Sequence, residues 1–233
     1  MKREILVSAF LLLIANTGFA SPLTDYSQGK VAVDITWQSP KIHENYSVDG
    51  NSYDYDKKNN ISYGITAGLG NKFAFQYKQS NPESKDTLYG SVDPKTGDFT
   101  TQKEKLQVRE YNVLYKLTKN ISTFTGIAQV KSDLSVNSTL EGGSSSDSTS
   151  KKNIWQFGLV GTVPVADKTN AYAVAAIGSD LTAWKLGLGY ELEKNLDLDV
   201  FYSYSQYKNL QWQAGGSSDF TVKGMGYGVT YKF

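Results

Sequence analysis

The sequence predicts an all-β chain: an antiparallel, up-and-down transmembrane β-barrel of ten strands, with eight and twelve as the alternative counts. Three observations predict it. The segment Met225–Phe233 alternates with a period of two, ten such segments recur along the chain, and the links between them alternate between short and long. In the 225–233 segment Met225, Tyr227, Val229, Tyr231 and Phe233 are bulky, while Gly226, Gly228, Thr230 and Lys232 between them are small or polar. A period of two puts the two sets on opposite faces of a strand. Such a strand suits a wall with lipid on one side and a wet lumen on the other.

In chain order, Met1-Lys-Arg gives a basic start, Ile5 to Ala15 is almost wholly apolar, and Gly18-Phe19-Ala20 offers small residues before a cut. This is the three-part form of a secretory signal peptide, and its apolar run is too short to span a bilayer as a helix. Residues 1–20 are therefore expected to be cleaved, leaving one barrel domain over 21–233 that begins at Ser21. No cysteine is present, which excludes disulfides, thiolate metal sites and cysteine nucleophiles. No later run is long and apolar enough for a transmembrane helix.

The first strand, Lys30–Trp37, sets Val31, Val33, Ile35 and Trp37 against Asp34 and Thr36. The second and third, Ile61–Leu69 and Lys72–Lys78, present Tyr63, Ile65, Phe73, Phe75 and Tyr77 outward and join at Gly70-Asn71, a hairpin signal. The fourth, about Gln107–Leu117, shows Tyr111, Val113 and Tyr115, and the fifth is expected to show Phe124, Ala128 and Val130. The sixth, Asn153–Val163, carries Trp155, Phe157 and Leu159. The seventh is expected to carry Tyr172, Val174 and Ala176 outward. The eighth and ninth carry Trp184, Leu186, Leu188 and Tyr190, then Leu196, Leu198, Val200, Tyr202 and Tyr204. The tenth is the 225–233 segment. No charge falls on the apolar face of any of the ten, and a Lys or Arg facing lipid near the midplane costs roughly 2–4 kcal/mol.

Tight links lie near Gly70, Lys119, Ala166 and Lys194. Long hydrophilic ones run over 38–60, 79–105, 131–152 and 205–219. Gly178-Ser-Asp180 takes a long-link slot but is short, which leaves one low wall. Short turns are expected on the periplasmic side with both termini, and long loops outside. With that orientation aromatics gather in two belts, one of them including Trp37, Tyr63, Trp155 and Trp184, the other Phe73, Tyr115, Tyr172 and Tyr190. The Ser/Thr/Gly-rich tract Asn137–Ser150 and Gly215–Ser218 are expected to be mobile.

Setting aside Lys2, Arg3 and Glu4 from the 24 basic and 23 acidic residues leaves 22 of each. That balance offers no basic excess for nucleic acid. The single histidine, His43, stands beside Glu44 in the first long link with no serine in a nucleophile-elbow context, so no enzymatic activity is expected. Asp49, Asp54 and Asp56 lack the spacing of a calcium loop, and no metal or cofactor is expected. The luminal charges Lys72, Glu110, Lys185, Glu191, Asp197 and Asp199 are the candidate lining and selectivity residues. Asp197 and Asp199 are expected to pair with lysines such as Lys185 and Lys72, with a cation site as the alternative. Inward Gly187, Gly189, Gly224, Gly226 and Gly228 leave open whether that sector is filled by Phe201 and Lys185 or runs as a narrow path.

The face Tyr227, Val229, Tyr231 and Phe233 resembles the C-terminal signal of bacterial outer-membrane barrels. With its strand pattern, the chain resembles small porin-like outer-membrane β-barrel proteins. The resemblance implies residence in outer-membrane lipid and insertion by the barrel-assembly machinery with periplasmic chaperones, through that terminal face. A monomer is expected. The chain departs from the outer-membrane acyltransferase, deacylase, phospholipase and protease families, whose histidine-bearing strand motifs it lacks. Two function classes remain: a porin-like barrel passing small solutes or ions through a narrow lumen, and a closed barrel whose long loops serve a structural, adhesin or receptor role.

Overall fold

The computed structural model describes residues 22–48, 50–90, 92–139 and 143–233. The expected signal peptide, Ser21 and Asp49 lie outside the described residues. In chain order the strands are β1 (Val31–Gln38), β2 (Lys41–Tyr46), β3 (Ser52–Tyr55), β4 (Asn60–Gly70), β5 (Phe73–Ser80), β6 (Thr87–Tyr89) and β7 (Thr100–Lys116). There follow β8 (Ile121–Ser138), β9 (Ser144–Ser148), β10 (Lys152–Ala166), β11 (Thr169–Gly178), β12 (Leu181–Glu193), β13 (Leu196–Gln211) and β14 (Ser217–Lys232).

Ten strands form an antiparallel wall in the order β1-β4-β5-β7-β8-β10-β11-β12-β13-β14, and β14 pairs back onto β1 with Val33 opposite Tyr231 and Trp37 opposite Tyr227. The wall is a closed ten-strand barrel, and the described residues contain no helix. The tight turns fall where the spacing puts them, and Gly70, Asn71 and Lys72 turn the β4–β5 hairpin with positive φ. These turns share one end of the barrel, the turn end.

Alternation along each strand sorts the residues as a half-lipid, half-lumen wall requires. Trp155, Phe157, Leu159, Leu186, Leu188, Met225 and Tyr227 stand exposed on the outer surface. Ala32, Asp34, Gln76, Asn112, Gln156, Asp199 and Thr230 are buried on the inner one. Aromatic rings pair along the outside: Trp37 stacks on Tyr227 at 5.6 Å, Trp184 on Tyr202 and Tyr204, and Tyr77 lies 5.1 Å from Tyr111.

Two strands face the opposite way from the sequence expectation. On β8 it is Ile121 that is exposed outward, while Phe124, Ala128 and Val130 are buried inside. On β11 Ile177 points out, while Tyr172 and Ala176 are buried and line the lumen with Val174. Tyr172 therefore does not belong to the outer aromatic belt. The physical reason is twofold. Thr123 and Thr125 can sit on the apolar side because their hydroxyls donate to the carbonyls of Gly158 and Gln156, at 3.0 and 3.2 Å, leaving no unsatisfied polar atom. The larger rings are needed inside, where Gly158 and Gly187 have no side chain: a Cβ at either would strike the ring of Phe124 or Tyr172.

Most of the expected loops are strands. β2 pairs β14 and β3 pairs β2, so the 38–60 link is a hairpin laid along the rim. β6 pairs β7, β9 pairs β8, and Thr149 bridges to Trp212. Together with the far reaches of β7, β8, β13 and β14, these pieces form a second storey above the end opposite the turns. Between β3 and β6 the ring is joined by Asp56 N–H donating to Thr87 Oγ1 at 2.8 Å, Lys85 N–H to the Asp56 carbonyl at 3.0 Å, and contact of the Tyr53 and Tyr89 rings. The Asn137–Ser150 tract thus holds the end of β8, β9 and the Thr149 bridge. Gly215 and Gly216 form a tight turn with positive φ. The serines there keep backbone hydrogen bonds that composition alone does not foretell. The low wall at Gly178–Leu181 is present, so β11 and β12 stop short of the storey.

Candidate functional site

The interior is a lumen narrowed by side chains beneath a closely packed cap. Three rings lie over glycines: Phe124 against Gly158, Tyr172 against Gly187 and Phe201 against Gly226. The Lys185 ammonium rests 3.5 Å above the Phe201 ring and 5.8 Å from that of Tyr172, a cation–π arrangement. Tyr172 donates its hydroxyl to Asp199, and Thr230 donates to Asp34 at 2.7 Å. Opposite, Lys78 pairs with Glu110 at 3.6 Å, Gln156 donates to Glu110 and Asn112, and Asn112 donates to Gln76. A cavity of about 180 Å³ remains between these groups, bordered by Thr36, Gln76, Lys78, Glu110, Gln156 and Lys185. It has room for a few water molecules.

Both mouths are covered. At the turn end Leu23 and Tyr26 are 7% and 3% exposed, and Leu23 borders the cavity beside Leu114, Phe124 and Val160. This entering segment is held by the Lys116 ammonium donating to the Thr24 carbonyl at 2.6 Å and by Gly70 N–H donating to Tyr26 at 3.0 Å. At the other end the storey encloses Ile42, Leu106, Val130, Ile154, Leu210 and Phe220, each 1% exposed or less. A fully buried apolar side chain of this size contributes roughly 1.5–3 kcal/mol, so a cluster of six opposes entry of water from above.

Of the sequence-predicted site residues, Glu110, Lys185, Asp197 and Asp199 do line the interior. Asp197 pairs with Lys232 at 2.5 Å rather than with Lys72 or Lys185. Asp199 is bound by Tyr172 and is close enough to feel the Lys185 charge. Glu191 stands opposite Asp197 in register near the turn end. Lys72 is not in the lumen: it is exposed in the β4–β5 turn with φ +71°. The terminal face is outward, with Tyr227 62% exposed, Val229 opposite Ile35, and the Tyr231 and Phe233 rings 4.7 Å apart.

His43 lies on the outer surface of the storey. Its Nδ1 meets Asp54 at 2.8 Å and its Nε2 meets Asn45 at 3.2 Å. Hydrogen bonds from Lys41 and then His43 hold the Asp54 carboxyl below its ordinary range. Sequence reasoning missed Glu44 and Glu104, both buried within the storey. Glu44 accepts from Tyr55 at 2.6 Å and from Ser218 at 2.5 Å, while Ser218 accepts from the Trp212 indole at 2.8 Å. Burial, then the Glu44 charge, raises the Tyr55 phenol well above its usual range. The signal was available as alternation, since Ile42-His43-Glu44 and Glu104-Lys105-Leu106 put each glutamate on an apolar face.

No protein-family model and no curated protein sequence matches the chain. Among solved structures it is similar to the outer membrane protease OmpT from Escherichia coli, with a TM-score of 0.61 at 11% identity over 93% of this chain and 99% of that one. It is also similar to the translocator domain of the autotransporter NalP from Neisseria meningitidis, with a TM-score of 0.50 at 12% identity over 90% and 91% of the two chains. The attachment invasion locus protein Ail of Yersinia pestis aligns at a TM-score of 0.47 and 12% identity over 88% and 99%. At these identities the likeness is one of architecture: the chain has the fold of the bacterial outer-membrane β-barrel proteins.

Proposed function

We propose that this protein is a closed, monomeric outer-membrane barrel that works through its storey at the cell surface, as a contact protein of the adhesin or receptor kind. One observation carries the reading: the storey packs a fully buried apolar cluster of Leu106, Val130, Leu210 and Phe220 above the lumen. In this reading residues 1–20 direct export, both termini and the short turns face the periplasm, and lipid surrounds the wall. The barrel-assembly machinery and periplasmic chaperones receive the chain through Tyr227, Val229, Tyr231 and Phe233. Nucleic acid has no part in it. Catalysis has none either, and engagement of both His43 ring nitrogens by Asp54 and Asn45 supports that.

The porin-like reading keeps one support, the polar cavity beside Lys78, Glu110 and Lys185. Single-channel conductance of the refolded protein in a planar bilayer decides between them, with a heat-dependent gel shift as the folding control. A folded, silent barrel is expected. Discrete steady steps would overturn the closed reading and turn attention to Lys185, Asp197 and Asp199 as selectivity residues.

A further inference from the structure

Glu104 of β7 has no exposed surface, and Glu44 of β2 is 3% exposed. Each shares an inward strand face with an apolar neighbour of the storey core, Leu106 and Ile42. Glu44 is supplied with donors from Tyr55 and Ser218. Glu104 accepts the Ser132 hydroxyl at Oε1, while its Oε2 is buried with no side-chain or backbone donor in hydrogen-bond range. Among the described residues no lysine or arginine forms an ion pair with Glu104. An unpaired carboxylate in such surroundings is strongly penalised, and the group neutralises instead.

We propose that Glu104 and Glu44 form a proton-operated latch: the storey stays closed while Glu104 holds a proton and loosens when that proton leaves. Glu44, better supplied with donors, is the partner that carries charge. Calcium takes six to eight oxygen ligands. Here the two carboxyl groups are buried in the same storey, and the hydroxyls of Tyr55 and Ser218 already donate to Glu44 and that of Ser132 to Glu104. A proton is the ligand that fits.

The groups facing Glu104 are known from each packed element. β2 brings Glu44, β3 brings Tyr55, and β8 brings Ser132 with Asp133 behind it. The segment after β5 brings Ser84, whose hydroxyl accepts the Glu104 N–H at 2.9 Å. Ser218 and Trp212 reach Glu44 from the β13–β14 side. Burial drives the Glu104 carboxyl well above its ordinary range. The Ser132 hydrogen bond pulls it back, the Glu44 and Asp133 charges push it up again, and a backbone bond from Lys105 opposes them. The sign follows. Between the ordinary carboxylate value and the raised one, the closed storey binds a proton that the opened one releases, so closure weakens as pH rises through that window and is strongest in acid.

The inference rests on the closed-barrel reading. The test is limited proteolysis of the refolded full chain between about pH 5 and about pH 9, alongside bilayer conductance at the same pH values. Cleavage of an unfolded peptide corrects for the protease's own pH dependence. While one proton is released on opening, the open population rises about tenfold per pH unit. Storey cleavage should rise with that slope in the wild type and stay flat in Glu104→Gln, which keeps the Ser132 hydrogen bond without a charge. Should Glu104→Gln fail to assemble, Asp133→Asn serves: with one repelling charge gone, its storey should resist cleavage better than wild type at high pH. A flat wild-type profile, or a Glu104→Gln profile like wild type, sinks the latch. Protection at high pH by added calcium also overturns it, in favour of a cation site. Steady conductance in acid from a storey that resists cleavage would instead defeat the closed-barrel reading, with the cleavage slopes still judging the latch.

Discussion

The Tyr172 hydroxyl donates to the Asp199 carboxylate across the bare backbone of Gly187, tying β11 to β13 over the strand between them. Gly187 stands opposite both Tyr172 and Phe201 in register, and its missing side chain is the space the Tyr172 ring occupies. The brace runs along the inner face of the wall, and the Tyr172 ring narrows the lumen beside Lys185.

A side chain at Gly187 should therefore loosen the barrel. Gly187→Val places methyl groups where the Tyr172 ring lies and should cost about 1–3 kcal/mol through overpacking. The readout is the temperature at which the folded gel band is lost. An unchanged temperature would mean the ring has room to move, and the brace would not be rigid.

The two faces of the wall should respond unequally to the same new charge. Leu188 is 49% exposed on the outside, where an arginine near the midplane costs roughly 2–4 kcal/mol. Gln156 lies inside, 3.2 Å from Glu110, so an arginine there meets a carboxylate. Leu188→Arg is expected to lower the yield of folded barrel far more than Gln156→Arg. Equal losses would mean that the lumen packing near Gln156 is as unforgiving as lipid.

Phe233 closes the outward row with its ring on Tyr231, and its N–H donates to the Val31 carbonyl at 2.8 Å. Phe233→Ser keeps that backbone bond and removes the ring. A reduced amount of protein in the membrane fraction is expected. Normal assembly would refute the role given to the terminal face.

At the low wall, Lys152 donates toward Asp180 at 2.9 Å, and the Asn209 amide donates to the same carboxylate at 2.8 Å. These two bonds, Lys152 first, hold the Asp180 carboxyl below its ordinary value of 3.8. Its contribution is present above that ordinary value and is lost as pH falls through the lowered one. Asp180→Asn should cost only about 0.2–1 kcal/mol at neutral pH, with the difference from wild type vanishing in strong acid. A difference that persists there would assign the effect to packing rather than charge.

The wall was legible because lipid enforces a simple rule, and eight of the ten segments face as their alternation predicts. β8 and β11 were not, since Phe124 and Tyr172 resemble lipid-facing residues until the glycines opposite them are known. That pairing is a relation between strands, and a single segment cannot display it. The storey escaped for a related reason. Ser144–Ser148 and Lys41–Tyr46 are polar on the side facing water, and only their partners in β8 and β14 make them strands. Glu104 falls in the hydrophilic 79–105 link between Lys103 and Lys105, so local composition does not mark it as buried.

β14 offers one edge to two strands in succession. Gly226–Lys232 holds β1, and Ser218–Lys223 holds β2. Strands from the two ends of the barrel sequence thus meet along a single line, and contacts that far apart are slow to form because a long stretch of chain must first be brought together. Neither level can shut before the last strand arrives, and its arrival can zip both in one movement. During assembly the half-built sheet carries an open edge until β14 arrives, the condition in which such edges seek foreign partners. The time spent waiting for β14 is therefore the most hazardous stage in the life of this chain.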